Sequence, residues 1–267
     1  MQTIIDETVG IARHLTLNRP RQRNAISLPM VDELLQKLTE AEAASQTRVL
    51  VLRGAEHNFC AGGDIGDMLT AQQNASDGDT DAFYHLNRRF GELLERVNSS
   101  SLVVIAVLEG AVMGGGFGLA CSADIAIADH SCRFALPETR LGLPPAQIAP
   151  FVVARVGLSQ ARRLALGGTT LKAREALDIG LIHQLLDSST TLEAALQGHL
   201  DNINACAPGA LATTKYLLLQ AAQIADKYAL SHLLDDAAKH FSNAIQGSEG
   251  REGARAFMEK RAPEWQH

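Results

Sequence analysis

Several features are scarce in this sequence, and each scarcity removes a class of function. Its four cysteines, Cys60, Cys121, Cys132 and Cys206, form no CxxC pair and have no histidine at ligand spacing. That argues against a disulfide framework and a zinc site, and leaves small buried residues. No metal is expected. No apolar run approaches the ~20 residues of a membrane span, and the opening "MQTIIDETVGIARHLTLNRP" has no basic-then-apolar leader pattern. A cytoplasmic protein with no membrane partner is the expectation. Basic charge is in deficit: 24 Lys and Arg against 30 Asp and Glu leave a net −6, so nucleic acid is not an expected partner either. Nowhere is there a GxGxxG, a GxxxxGK[ST] or an HExxH, and "GLSQA" misses GxSxG because it ends in Ala161. Dinucleotide binding, P-loop chemistry and a serine-hydrolase elbow therefore have no candidate.

What is present belongs to a globular α/β protein. In 267 residues, 46% are hydrophobic and 20% charged, enough to bury a large core. Alternating apolar residues predict a hairpin turning near Gly10 and stopped by Pro20. "SLPMVDELLQKLTEAEAA" predicts an amphipathic helix with Ser27 as N-cap and Pro29 in its first turn. "RVLVLRG" reads as a strand, and a loop then leads to a helix in "TDAFYHLNRRFGELLERVNSS". "SLVVIAVLEG" has the continuous apolar run of a strand buried on both faces. Short strands follow in "ADIAIADHSCRFALPE", helical periodicity begins at "QIAPFVVARVG", and "LKAREALDIGLIHQLL" turns from helix to strand at Gly180. A composition change near "ACAPGALATTK" divides a core of residues 1–205 from a helical segment of residues 206–267.

The stretch "VMGGGFGLA" places Gly114, Gly115, Gly116 and Gly118 where an apolar strand runs into a helix. Glycine in a helix interior costs about 1 kcal/mol relative to alanine, so such a cluster marks a bare backbone that something must approach. With nucleotide motifs absent, the remaining use of exposed amides is stabilisation of a developing oxyanion, which needs a second donor. The glycine pair in "NFCAGGDI" offers one.

Together, "NFCAGGDI", "GAVMGGGFGLACSADIAIA" and "FALPETRLGLPP" resemble, in order and spacing, the signature of the enoyl-CoA hydratase/isomerase, or crotonase, family. The resemblance runs from "LTLNRPRQRNAIS" to "EGARAFMEKRAPEW". It implies a spiral core of repeated ββα units with a helical C-terminal trimerisation domain. It also implies a homotrimer or dimer of trimers, and an acyl-CoA substrate that carries its own CoA, so that no separate cofactor is needed. The family's oxyanion donors fall on the amides of Gly63 and Gly115. Many hydratases of the family carry one glutamate where this chain has Gly118 and a second at Glu138, so the resemblance leaves Glu138 as acid/base residue. Without it, Glu138 reads as a solvated carboxylate after Pro137.

Further substrate contacts are implied at Arg21, Asn24, Ala25 and Ile26 around the adenine pocket, and at Ala61 and Asp64 beside the first donor. Gly114 and Gly118 adjoin the second donor. Phe257 and Lys260 match positions that close over CoA, often from a neighbouring subunit. Arg21 and Lys260 are equally read as solvated surface residues.

One carboxylate suffices for adding water across the 2,3-double bond of an enoyl thioester, and equally for a Δ3,Δ2-isomerase that moves a proton from C2 to C4. "RLGLPPAQIAPFVVARVG" resembles hydratases of branched glutaconyl-CoA thioesters, the 3-methyl or isohexenyl compound, and glycine at 118 is expected to make room beside C3. The second carboxylate of such a substrate would need a donor; Arg140, Gln147, His85 and Arg88 are candidates, though each is also an ordinary solvated side chain. Some relatives bind RNA or act as scaffolds, but "YHLNRRFGELLERV" alternates acid with base as an exposed helix does.

Overall fold

The predicted hairpin forms from β1 (Ile4–Val9) and β2 (Ala12–Leu17), paired antiparallel. The computed structural model describes residues 2–186, 190–224 and 227–266. After α1 (Leu28–Ala43) the chain returns as β3 (Val49–Gly54), parallel to β2, then passes through α2 (Ile65–Ser76) and α3 (Ala82–Ser99) to β4 (Val103–Leu108). A regular alternation follows: β5 (Ala111–Met113), α4 (Gly115–Ser122), β6 (Ile125–Ala128), β7 (Arg133–Ala135), α5 (Ala149–Gly167), β8 (Leu171–Lys172), α6 (Ala173–Asp178) and β9 (Gln184–Leu185). The C-terminal part is helical, with α7 (Leu192–Asn204), α8 (Pro208–Ala221), α9 (Lys227–Gln246) and α10 (Ser248–Glu259). The division expected at 205/206 falls in the turn between α7 and α8.

Six strands make one sheet in the order β1-β2-β3-β4-β6-β9, and β5-β7-β8 make a smaller one. Successive units place one strand in the large sheet, a short one in the small sheet, and then a helix. This is the crotonase-type spiral of ββα repeats. Its continuous apolar strands are buried on both faces, as their composition predicts. Leu50, Leu52, Val104 and Ala106 face a core shared with α1, α3 and α4; Val49, Val51, Ile105 and Val107 face a second core closed by Leu192 and Leu196 of α7. No described helix is long and apolar enough to cross a membrane.

Two local expectations are corrected. Part of the stretch read as a loop forms α2, started by Asp64, whose carboxylate accepts the Gly66 N–H at 2.6 Å. Its periodicity is faint because among its residues only Ala71 is buried, while Ile65 and Leu69 are exposed. Ser27 does occupy the N-cap of α1, but its side chain makes no capping bond. Asp67 does that work from α2, accepting the Leu28 N–H at 2.5 Å.

The far end of α4 is secured by α5. The Arg155 guanidinium donates to the Cys121 carbonyl at 3.0 Å and also to the Ala123 carbonyl, satisfying groups that a helix C-terminus leaves open. Replacing Arg155 with Met should strand these acceptors and lower stability by about 1–3 kcal/mol. Urea unfolding of the two proteins measures the difference, and an unchanged midpoint would contradict the capping role.

Candidate active site

Three chain segments leave the small sheet at one level. Cys60 forms an isolated parallel bridge with Val112, the Cys60 N–H reaching the Ala111 carbonyl at 2.8 Å and the Met113 N–H the Cys60 carbonyl at 2.9 Å. Val112 in turn pairs with Phe134 across β5 and β7. Gly63 lies three residues past Cys60, and Gly115 three past Val112, so parallel register brings the two glycine turns side by side. A Cβ on Gly115 would lie 3.8 Å from the Gly62 carbonyl carbon.

Neither glycine amide is spent on the ladder or the helix. Gly63 bridges Ile26 in parallel, but the bonds run from Ile26 N–H to the Gly62 carbonyl and from Asp64 N–H to the Ile26 carbonyl, at 2.8 and 2.9 Å. A parallel bridge of that pattern leaves the N–H of Gly63 itself on the opposite side. Gly115 opens α4 and has no residue behind it to accept its N–H. Both glycines line one cleft together with Glu138.

Glu138 starts a short 3-10 turn just beyond β7. It is half-buried, and its Oε2 atom is enclosed with no hydrogen-bond partner. Burial pushes its pKa above the ordinary carboxylate value, against a smaller opposing pull from its own backbone N–H. Gly114 makes this fit possible: its φ is +50°, and a Cβ there would stand 2.8 Å from Glu138 Oε1. The two other acids on the cleft are committed. Asp67 caps α1, and Asp64 pairs with Arg19 Nη1 at 2.6 Å while capping α2. For Asp64, burial acts to raise the pKa, but Arg19 and the Gly66 N–H outweigh it and the net shift is downward. Among the described residues, no lysine, arginine or histidine lines this cleft.

The remaining expected contacts divide. Ile26 and Asp64 line the cleft. Ala25 is half-buried and gives its carbonyl to Arg19 Nη1 at 2.8 Å, and Ala61 donates its N–H to the Arg23 carbonyl at 3.0 Å. Gly114 is buried behind Glu138, and Arg21 is exposed in the turn Pro20–Gln22. Asn24, expected in a segment whose backbone lines the adenine pocket, has a side chain that acts as a strut. It is fully buried, accepts the Arg19 N–H at 3.0 Å and donates to the Ala55 and Asn58 carbonyls at 2.9 and 2.6 Å. Those bonds leave its amide nothing to offer a ligand. Phe257 is 85% exposed, and it and Lys260, at the end of α10, lie outside the cleft wall of this chain.

Gly118 does not leave open the room expected of it. It is buried and does not border the cleft, and a Cβ there would lie 2.2 Å from Ile148 Cγ2. The room left by glycine is filled by Ile148, which is itself on the cleft wall. Of the four residues considered for a distal carboxylate, Gln147 alone lines the cleft; Arg88 pairs with Glu95 at 2.9 Å, His85 lies on a separate groove, and Arg140 packs on Gly168. Phe90 and Asn87 of α3 also face the cleft. Their i, i+3 spacing on one helix face was the available signal, but it marks a buried face as readily as a binding one.

The family described as Enoyl-CoA hydratase/isomerase matches residues 7–267, and the chain belongs to that family. Its fold superposes on an enoyl-CoA hydratase/isomerase from Marinobacter aquaeolei with a TM-score of 0.94, at 52% identity and 99% coverage of each chain. Pseudomonas aeruginosa AtuE gives a TM-score of 0.93 at 48% identity, with 100% of both chains covered. The 2,3-dehydroadipyl-CoA hydratase of Escherichia coli K12 is 30% identical over 94% of this chain and 93% of its own length. The protein is therefore an enzyme of enoyl-CoA hydratase/isomerase chemistry acting on a CoA thioester.

The Gly118 packing is directly testable. Gly118→Ala should destabilise the protein by about 1–3 kcal/mol through overpacking, and Ile148→Ala in the same chain should recover part of the loss. Thermal unfolding of the single and double variants reads this out. Strictly additive losses would show that the two positions do not share the space.

Proposed function

We propose that the protein is an enoyl-CoA hydratase that adds water across the 2,3-double bond of a branched glutaconyl-CoA thioester, of the 3-methyl or isohexenyl type. The observation that carries enoyl-thioester chemistry is one enclosed, unpartnered carboxylate beside two unspent main-chain amides, and the resemblance of the segment from Arg140 to Gly157 to branched-substrate hydratases favours water addition. In this reading the thioester oxygen lies between the N–H groups of Gly63 and Gly115. Those two donors and the N-terminus of α4 favour the negative charge that develops on it. Glu138 as carboxylate takes a proton from water, the hydroxide adds to C3, and the electron pair of the double bond moves into the enolate. Glu138, now a carboxylic acid, returns the proton to C2 as the enolate collapses to the thioester. One water is consumed and Glu138 ends as it began. Its raised pKa suits both halves of the cycle.

The branched acyl group is supported by the segment from Arg140 to Gly157 and by the apolar wall of Ile148, Leu143, Pro144 and Pro145. The CoA moiety is assigned to the backbone around Arg21, Ala25 and Ile26, with Phe257 and Lys260 contributing across a subunit boundary. A homotrimer or dimer of trimers supplies that boundary. No residue of α8 is buried, and Leu218, Leu234 and Phe241 are exposed on α8 and α9, an apolar surface suited to association. The isomerase reading rests on the same lone carboxylate and differs in its product.

Loss of enoyl-thioester absorbance with crotonyl-CoA, 3-methylglutaconyl-CoA and a long branched analogue tests the substrate, and product analysis separates a hydroxyl from a shifted double bond. A shifted double bond alone would overturn the hydratase assignment. Glu138→Gln should lower kcat by about 10²–10⁴-fold. In the wild type, kcat/KM should fall on the acid side at a pH above the ordinary glutamate range, because the base must be ionised. The same substitution should raise Tm. The fold disfavours ionised Glu138, so stability present below the usual carboxylate pKa of about 4.3 is lost as pH rises through the raised value. The Gln variant should therefore gain at pH 8 and show no gain near pH 4.

A further inference from the structure

Beside the apolar wall, at Gln147 of the same 143–148 segment, the cleft carries a pair of neutral amides that the proposed chemistry does not use. Gln147 lies across α3 and donates from Nε2 to Asn87 Oδ1 at 3.0 Å. It can lie there because the residue beneath it is Gly91: a Cβ at that position would stand 2.0 Å from Gln147 Oε1 and 2.7 Å from its Cδ. Gly91 is one helical turn beyond Asn87, so the glycine makes room for the side-chain amide of Gln147 and the asparagine oxygen accepts from its nitrogen. Both amides line the cleft that holds Gly63, Gly115 and Glu138. With its oxygen engaged by Gln147, Asn87 has two Nδ2 hydrogens without an acceptor among the described residues. The acids of the same cleft offer a substrate anion no donor, and among the described residues no cationic side chain stands on its wall.

We propose that the Asn87–Gln147 pair is the subsite for a distal carboxylate of the acyl group, recognised by hydrogen bonds from Asn87 Nδ2 instead of an ion pair. This rests on the glutaconyl-type reading and names the residues that would enforce it. Gln147 acts as the positioning residue: it holds the asparagine oxygen, and so turns both Nδ2 hydrogens toward the ligand. An amide donor to a charged acceptor gives a strong hydrogen bond without the desolvation cost of burying a second charge. Thioesters ending in a methyl group gain no charge-assisted bond from the exposed Asn87 and bind less tightly.

The test compares ligands that differ by that carboxylate alone. Inhibition by 3-methylglutaryl-CoA and by isovaleryl-CoA, and hydration of 3-methylglutaconyl-CoA and 3-methylcrotonyl-CoA, are measured for the wild type and for Asn87→Ala, Gln147→Met and Gly91→Ala. Gly91→Ala keeps both amides but displaces the flexible end of Gln147, and the added methyl favours the helix, so this variant should fold. Each variant should lose about tenfold or more in affinity and kcat/KM for the carboxylated member and change less than about twofold for the other. A wild-type enzyme with no preference for the carboxylate overturns both the glutaconyl reading and the subsite. A wild-type preference that survives in all three variants overturns the subsite alone. Equal losses for both ligands would reduce the pair to a structural prop and also overturn it.

Discussion

Main-chain pairing between Cys60 and Val112 is the constraint on which the site depends. These residues are far apart in sequence, and neither has chemistry of its own to contribute: Cys60 is fully enclosed, and burial pushes its thiol pKa up to about 12. What the pairing supplies is register. Two parallel segments joined at that bridge turn outward after the same number of residues, so their glycine amides reach one cleft wall. The register is protected by side chains beneath it. Phe117 of α4 meets Phe134 of β7 edge to face with ring centroids 6.4 Å apart, and Asn24 bonds the Ala55 and Asn58 carbonyls on the approach to the first turn. A slip of one residue would break all of these contacts at once.

Charge in the cleft is handled by the same economy. Three acids line it and one is left without a partner. Asp64 and Asp67 are spent on helix caps, and Asp64 also on Arg19, while Glu138 is enclosed with an oxygen facing nothing. An unpartnered buried carboxylate costs stability, and a protein retains such a cost where the group has work to do. Gly114 belongs to this arrangement because a side chain there would displace the carboxylate.

The legible and illegible parts of this molecule divide by the distance over which the deciding interaction acts. The apolar runs of β3 and β4 announced strands buried on both faces, because residue type alone limits what such stretches can do, whereas Glu138 taken by itself reads as a solvated carboxylate and takes its expected role only from the resemblance. The helix over Ile65–Ser76 stayed hidden because it buries almost nothing and is started by a cap, not by an apolar stripe. Asn24 and Gly118 look in sequence like ligand-facing positions. Their roles are set by the Ala55 and Asn58 carbonyls and by Ile148, none of which is a near neighbour in the chain.

By itself, then, the sequence determined the alternation of strands and helices and the glycine-bearing turns. These follow from backbone freedom, hydrophobic periodicity and side-chain chemistry, all of which are local. Tertiary structure alone decided which amides stay unspent, which acids are tied down, and that Gln147 crosses Gly91 to reach Asn87. Those outcomes depend on which surfaces are brought within a few ångströms of each other, and only the packed sheet and helices fix those separations.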